Sequence, residues 1–139
     1  AGFKCLTFSA VNFYRSIVLL AICFLFVACG TTDLSGTYIC NDVIFSSQTM
    51  TPTEIAENQK AAKEDLVGSS VTVVQYDETI WIGFSDTDGD HFRKASNNEY
   101  VFMPDEGNGD KVVAKFVKDG LVLKEFDNRY TIEIVCNKQ

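Results

Sequence analysis

The chain has 139 residues and a formal net charge of −7, with 19 Asp and Glu residues against 12 Lys and Arg residues. This acidic balance argues against a nucleic-acid partner, because binding to phosphates requires a concentration of Lys and Arg. The length excludes a large multidomain protein and allows one domain. His91 is the only histidine, and no serine or cysteine motif accompanies it. The sequence therefore predicts a protein that is not an enzyme and has no cofactor.

The first part of the chain combines two basic side chains, Lys4 and Arg15, with an apolar run over residues 17–28. The run has the length of the hydrophobic region of a signal peptide and is short for a membrane span. It ends in Phe-Val-Ala followed by Cys29, which resembles the lipobox of bacterial lipoproteins with Phe26 in place of the usual Leu. An uncleaved signal anchor and a buried helix of a soluble protein are the alternatives.

The lipoprotein resemblance implies a covalent anchor and a location. Residues 1–28 would be removed as the signal peptide, Cys29 would carry diacylglyceryl and palmitate chains, residues 29–33 would form a tether, and residues 34–139 would fold. Several acyl chains hold a protein firmly on a lipid bilayer without spanning it. We therefore expect the domain in the bacterial cell envelope, facing the periplasm or the cell surface. After cleavage, 10 basic and 19 acidic residues remain, a formal charge of −9.

The rest of the chain is rich in short β-branched and aromatic runs separated by Gly and Asp turns, which is typical of a β-sandwich or β-barrel. One segment differs: residues 53–66 are good helix formers that Thr53 could cap and Gly68 could end. We predict a small antiparallel β-barrel of about eight strands with one short helix. The predicted strands are residues 34–45, 71–76, 79–84, 99–103, 111–118, 121–126 and 130–136.

The cysteines divide into two groups if the signal peptide is cleaved. Cys5 and Cys23 leave with it, and Cys29 is used for lipidation. This leaves Cys40 and Cys136 as one pair in a protein exported to an oxidising compartment, where disulfides persist. We therefore predict a structural disulfide between them.

A barrel whose first and last strands pair would bring these two cysteines face to face. If Cys40 faces Cys136 in an antiparallel pair, the register places Ile44 opposite Ile132. The disulfide would then point inward and stabilise barrel closure. Asp42 breaks the apolar pattern of its strand, which indicates a bulge or a rim position. A bridge between the two sheets of a sandwich is the competing geometry.

The start of the first strand, Leu-Ser-Gly-Thr-Tyr at residues 34–38, is similar to the G-x-W start of lipocalin-like domains. In that family the barrel interior holds a small apolar ligand or is packed with side chains. The resemblance implies structural roles for Gly36 and Tyr38 at the barrel floor and a ligand-binding function for the domain. The candidate ligand-binding residues are Tyr38, Ile82, Phe84 and Phe116.

A second resemblance is to the membrane-bound inhibitors of c-type lysozyme. It is carried by residues 37–40, 99–102 and 110–114 and by the terminal Cys136. That family places a Ser and a Lys in its inhibitory loops, and Ser96 and Lys111 are the residues to which these roles would be carried over. The alternative function is therefore a protein-interaction module, such as an inhibitor of lysozyme or another hydrolase, with an envelope protein as partner.

One acidic loop contains the residue types of a metal site. Asp86, Asp88 and Asp90 alternate beside Gly89, and calcium loops use oxygen ligands at such spacing. The order of Gly and Glu that an EF-hand requires is absent, and turns use Asp and Gly for backbone reasons alone. The sequence therefore predicts a turn here and no metal site.

Overall fold

The computed structural model describes residues 33–84, 88–104 and 109–139. The predicted signal peptide and Cys29 lie outside the described residues. Within them, eight antiparallel strands form a closed barrel in sequence order, accompanied by one helix, which confirms the predicted fold. The described residues contain no helical segment with the length and apolar character needed to traverse a bilayer. The elements are β1 Gly36–Ser46, α1 Pro52–Leu66, β2 Ser70–Gln75, β3 Thr79–Gly83, β4 Gly89–Lys94, β5 Glu99–Phe102, β6 Lys111–Val117, β7 Gly120–Phe126 and β8 Thr131–Lys138.

The two ends of the barrel follow from this up-and-down order. Because successive strands run in opposite directions, all odd-numbered strands end at the same end of the barrel. We call this the open end, where β3 ends at Gly83 and β5 at Phe102. The opposite end, where β1 begins at Gly36 and β2 ends at Gln75, is the closed end.

Alternate residues of most strands point inward and form the core, as the period of two in a strand requires. Burying such apolar side chains contributes about 25 cal/mol per Å² of apolar surface and is the main force that closes the barrel. The buried core consists of Tyr38, Cys40, Val43, Phe45, Val71, Val73, Ile80, Ile82, Phe92, Tyr100, Ala114, Phe116, Leu121, Leu123, Ile134 and Cys136.

The pairing of β1 with β8 contains a bulge. Cys40 faces Cys136, as predicted, but the register shifts between Cys40 and Asp42. Asn41 is the extra residue, and it has no partner across the ladder. Such an insertion bends the strand and exchanges the faces on which the later residues lie. Asp42 thus follows a bulge, which is one of the two features predicted from its break in the apolar pattern.

The predicted pairing beyond the cysteines is therefore wrong by one residue. Ile44 faces Glu133 rather than Ile132, and its side chain is 47% exposed. The inward positions belong instead to Val43 and Phe45. The physical reason is the bulge, because a shift of one residue turns every later side chain to the other face.

The helix begins earlier than predicted. Thr51, not Thr53, is the N-cap: its hydroxyl accepts a hydrogen bond from the Glu54 backbone N–H, and the Glu54 carboxylate accepts one from the Thr51 backbone N–H. This reciprocal capping box, with Pro52 in the first turn, satisfies donors that the helix cannot pair internally. Gly68, at φ +88°, follows the last turn and ends the helix as predicted.

α1 covers the edge of β1 that β2 leaves unpaired, on the side opposite to β8. β2 is paired with only the first four residues of β1, which leaves the later edge of β1 open. The Gln59 side chain takes the place of a strand there, accepting a hydrogen bond from the Phe45 N–H at 2.6 Å and donating one to the Val43 carbonyl. Ala62 and Leu66 of the same helix pack against the core.

One strand was not predicted. β4 has the sequence Gly-Asp-His-Phe-Arg-Lys, and only Phe92 in it is buried. A polar strand with one apolar residue has no alternating pattern, so its first residues were assigned to a loop. The turn between β6 and β7 also differs by one residue. The predicted strands 111–118 and 121–126 leave residues 119 and 120 as the turn, whereas Lys118 and Asp119 form it and Gly120 begins β7.

Candidate ligand pocket at the open end

A pocket of about 550 Å³ enters the barrel at its open end. Six consecutive strands, β3 to β8, contribute to its wall. Most of the lining is apolar, and three carboxylates lie among it. The lining residues are Ile82, Gly83, Phe84, Asp88, Gly89, Asp90, Phe92, Phe102, Val112, Leu123, Glu125 and Ile134.

Large aromatic side chains pack against one another inside the closed end. Phe116 contacts Tyr38 and Tyr100 edge to face, with ring centroids 6.0 and 5.9 Å apart. The Tyr38 hydroxyl donates a hydrogen bond of 2.8 Å to the Leu34 carbonyl, so this buried polar group has the partner that it needs. The Lys138 ammonium lies 5.9 Å from the centroid of the Tyr38 ring.

The structure therefore divides the four candidate ligand-binding residues into two pairs. Ile82 is buried in the pocket wall, and Phe84 lies at the pocket mouth with 44% of its side chain exposed. Tyr38 and Phe116 do not line the pocket and belong to the packed closed end. Contact of Ile82 and Phe84 with a ligand therefore stays a prediction.

Aromatic side chains that the sequence did not single out complete the wall. The rings of Phe92 and Phe102 lie 5.6 Å apart at a tilt of 37°, and both face the pocket. Phe92 was missed because β4 was missed. Leu123 and Ile134 continue the wall on the other side of the pocket, and the alternation of their strands was the only signal that could have found them.

Two glycines thin the wall of the pocket beside β3 and β4. Gly83 and Gly89 face each other across the ladder, and the indole of Trp81 covers both. A Cβ at Gly83 would lie 2.5 Å from Trp81 Cη2, and one at Gly89 would lie 2.4 Å from Trp81 Cζ2. Backbone carbonyl oxygens lie about as close, at 2.5 Å (Asp88) and 2.6 Å (Ile82), so only glycine fits at these positions. An aromatic side chain that covers strand glycines compensates for their missing side chains.

The mouth of the pocket is acidic. Asp88, Asp90 and Glu125 line it, and none of its described lining residues is a Lys or Arg. Burial raises the pKa of nearby Tyr130, and the negative charges of Glu125 and Asp127 raise it further. The pocket therefore combines an apolar interior with a negative potential at its entrance.

The two cysteines lie together inside the barrel as thiols. Each is about 1% exposed, and their Sγ atoms are 2.9 Å apart. The hydrogen bond between the two thiols lowers the pKa of Cys40, and the same contact, with burial, raises the pKa of Cys136. The structure thus brings the predicted pair together, and the covalent disulfide stays a prediction.

The residues considered for other functions are scattered. Ser96 lies in the turn between β4 and β5 at the closed end, and Lys111 begins β6 at the open end. His91 is exposed on the outer face, 5.7 Å from Tyr76 between ring centroids. Asp86 lies outside the described residues. In the parts of the chain that are described, no three His, Cys, Asp or Glu side chains come together as a metal site.

Comparison with protein-family models and with curated proteins finds no match to this chain. The pocket itself is therefore the feature from which a function can be inferred. The relevant properties of the pocket are its volume, its apolar wall and its position at the open end of the barrel.

Proposed function

We propose that the chain is an envelope lipoprotein that is anchored through acylated Cys29 and binds a small apolar ligand in the open-end pocket. The observation that carries this proposal is the pocket of about 550 Å³ with its wall of Ile82, Phe92, Phe102 and other apolar side chains. Small-molecule sites are concave, mostly apolar and typically about 300–1,000 Å³ in volume. A barrel that only had to fold could fill this space with side chains, as it does at its closed end.

The point at which the chain enters the barrel supports access to the pocket from the aqueous phase. Leu34, the first residue of the compact unit, lies at the closed end, where its backbone N–H donates a 2.9 Å hydrogen bond to the Gln75 side chain. The chain therefore enters the barrel at the end opposite the pocket mouth.

The proposal includes the Cys40–Cys136 disulfide. An exported domain meets thiol oxidants, and the two thiols would transfer two protons and two electrons to such an oxidant as the S–S bond forms. The facing Cα positions of the two cysteines support this pairing. The bond would join the first strand to the last and so secure closure of the barrel.

The inhibitor alternative has less support. An inhibitory surface that uses both Ser96 and Lys111 needs them at one end of the barrel, and they lie at opposite ends. An assay of lysozyme activity with the purified domain tests it directly, and we expect no inhibition.

The ligand-binding proposal is tested with residues 30–139, since residues 34–139 form one compact unit with its own core. The probe is N-phenyl-1-naphthylamine, which fluoresces in apolar sites. Val112→Phe fills the pocket, whereas Val113→Phe makes the same change on the next residue, which lies outside the pocket lining. We expect binding by the wild type and by Val113→Phe, and at least about tenfold weaker binding by Val112→Phe. Equal affinity of the two variants, or no binding by the wild type, overturns the proposal.

Lipidation is tested separately in bacterial cells that are fed an alkyne analogue of palmitate. The full chain should incorporate the label and fractionate with membranes, and Cys29→Ser should do neither. Labelling of the Cys29→Ser variant would contradict the proposed anchor.

A further inference from the structure

Two carboxylates at the open end, Asp90 and Glu125, lie on the inner face of the barrel wall, where they line the pocket. Asp90 is two residues from Phe92 on β4, and Glu125 is two residues from Leu123 on β7; all four side chains line the pocket. Because residues two apart share a face of a strand, these carboxylates lie directly above the apolar wall. The two carboxylates therefore lie at the entrance of the pocket, one from β4 and one from β7.

The lysines of the neighbouring positions lie on the other face. Lys111 and Lys124 are not part of the pocket lining, and their ammonium groups lie 5.0 and 5.3 Å from the centroid of the Phe126 ring. Lys124 also forms a 4.0 Å ion pair with Glu133. These contacts hold both ammonium groups on the outer face, so neither lysine lines the mouth beside Asp90 and Glu125.

Resting on the proposed binding function, we infer that the pocket selects amphiphiles with a positively charged head group, such as alkylamines or alkylammonium ions. The apolar chain fits between Phe92, Phe102 and Leu123, and the head group lies at the mouth beside Asp90 and Glu125. A fatty acid of the same length would place its carboxylate among like charges, which is unfavourable.

The aromatic ring of Phe84 adds a second favourable contact for a cation. It lies at the mouth with 44% of its side chain exposed, and an ammonium group is attracted to the face of an aromatic ring. A bare metal ion fits less well, because the described residues contain no cluster of three or more ligating His, Cys, Asp or Glu side chains. The complementary ligand is therefore an organic cation whose apolar part fills the pocket.

The test compares three ligands that differ only in head group: decylamine, decanol and decanoate. Each displaces N-phenyl-1-naphthylamine from residues 30–139 at pH 7 and low ionic strength. We expect decylamine to displace the probe at a concentration on the order of tenfold below that of decanoate. The difference should shrink as salt is added, because the carboxylates at the mouth are accessible to solvent.

Two double variants separate the mouth from the general acidity of the chain. Asp90→Asn with Glu125→Gln removes two charges at the mouth, and Asp77→Asn with Glu78→Gln removes two exposed charges from the turn between β2 and β3, at the closed end. The first pair should clearly reduce the preference for decylamine, with only Asp88 left as a carboxylate among the described lining residues, and leave decanol displacement unchanged. The second pair should preserve the preference in full.

The possible results distinguish failure of the charge selectivity from failure of apolar-ligand binding. A preference for decanoate, or a preference for decylamine that is undiminished in the mouth variant, overturns the charge selectivity while the pocket still binds apolar ligands. Failure of the neutral probe to bind the wild type overturns the proposed function itself.

Discussion

Reduction of the Cys40–Cys136 pair measures how much a covalent link between the first and last strands stabilises the barrel. The two residues are 96 positions apart in sequence, so a disulfide would constrain almost the whole folded domain. For a loop of that length, the loss of entropy in the unfolded chain corresponds to about 4.7 kcal/mol at 25 °C. Measured effects are usually smaller, so we expect oxidised protein to be more stable than reduced protein by about 3–4 kcal/mol.

The assay is urea unfolding followed by the emission of Trp81, the only tryptophan. With an m value of about 1.5 kcal/mol per M, the midpoint should fall by about 2 M upon reduction. The pair is buried, so reduction is carried out in denaturant before refolding. A variant with Cys40→Ala and Cys136→Ala serves as the control, and its midpoint should not respond to reductant.

Two results would refute this reasoning. One is an intact mass that shows both thiols free in protein secreted to an oxidising compartment. The other is a pair of wild-type unfolding curves that coincide with and without reductant, because a cross-link of this length cannot form without restricting the unfolded chain.

Three further predictions concern stability. Gln59→Leu should destabilise the domain by about 2 kcal/mol in urea unfolding, because it leaves two backbone groups of β1 unpaired. Glu57→Ala, on the exposed face of α1, is the control and should change stability by less than about 0.5 kcal/mol. Equal effects of the two substitutions would contradict the strand-replacing role of Gln59. Gly89→Ala should cost about 1–3 kcal/mol in wild-type protein and less beside Trp81→Ala. Part of the cost should remain, because the added Cβ would still lie 2.6 Å from the Ile82 carbonyl oxygen. Fully additive losses in urea unfolding would argue against the indole clash. The pKa of Tyr130 is raised in the folded state. The contribution of Tyr130 to stability is therefore fully present below the unfolded-state pKa of about 10 and is lost as the pH rises through the folded-state pKa. Urea unfolding at a series of pH values should show the wild type losing stability relative to Tyr130→Phe, and parallel pH profiles would refute this.

The architecture was predictable because most strands carry a local signal. In β6 and β8, apolar residues recur with the period that a half-buried strand requires. Residues 52–66 lack that period and contain strong helix formers, so the helix was equally visible. The pairing of the terminal strands followed from Cys40 and Cys136, a long-range signal that short sequences seldom contain.

The bulge and the missing strand depend on interactions that a local pattern does not contain. Asn41 is unpaired because of the way that β1 meets β8, some ninety residues away in sequence. β4 is a strand because β3 and β5 pair with it, although Phe92 is its only buried residue. The role of Gln59 likewise exists only because β2 leaves part of β1 unpaired.

For a related reason, the sequence predicted only part of the pocket: of the four candidate ligand-binding residues, two line it. Alternation identifies the inward face of a strand but not the height of each residue along the barrel. Ile82 and Phe116 both point inward, yet one lines the open end and the other fills the closed end. The heights follow from the registers of all eight strands, which are fixed only when the barrel closes.

The most direct test of ligand binding in the pocket is the position of a bound apolar ligand. Isotope-filtered nuclear Overhauser measurements on labelled residues 30–139 with decanol would supply it. We predict contacts from the alkyl chain to Phe102, Leu123 and Ile134 inside the open end. Contacts confined to outer-face residues such as Val74 and Tyr76, which are exposed, would contradict the proposed binding site.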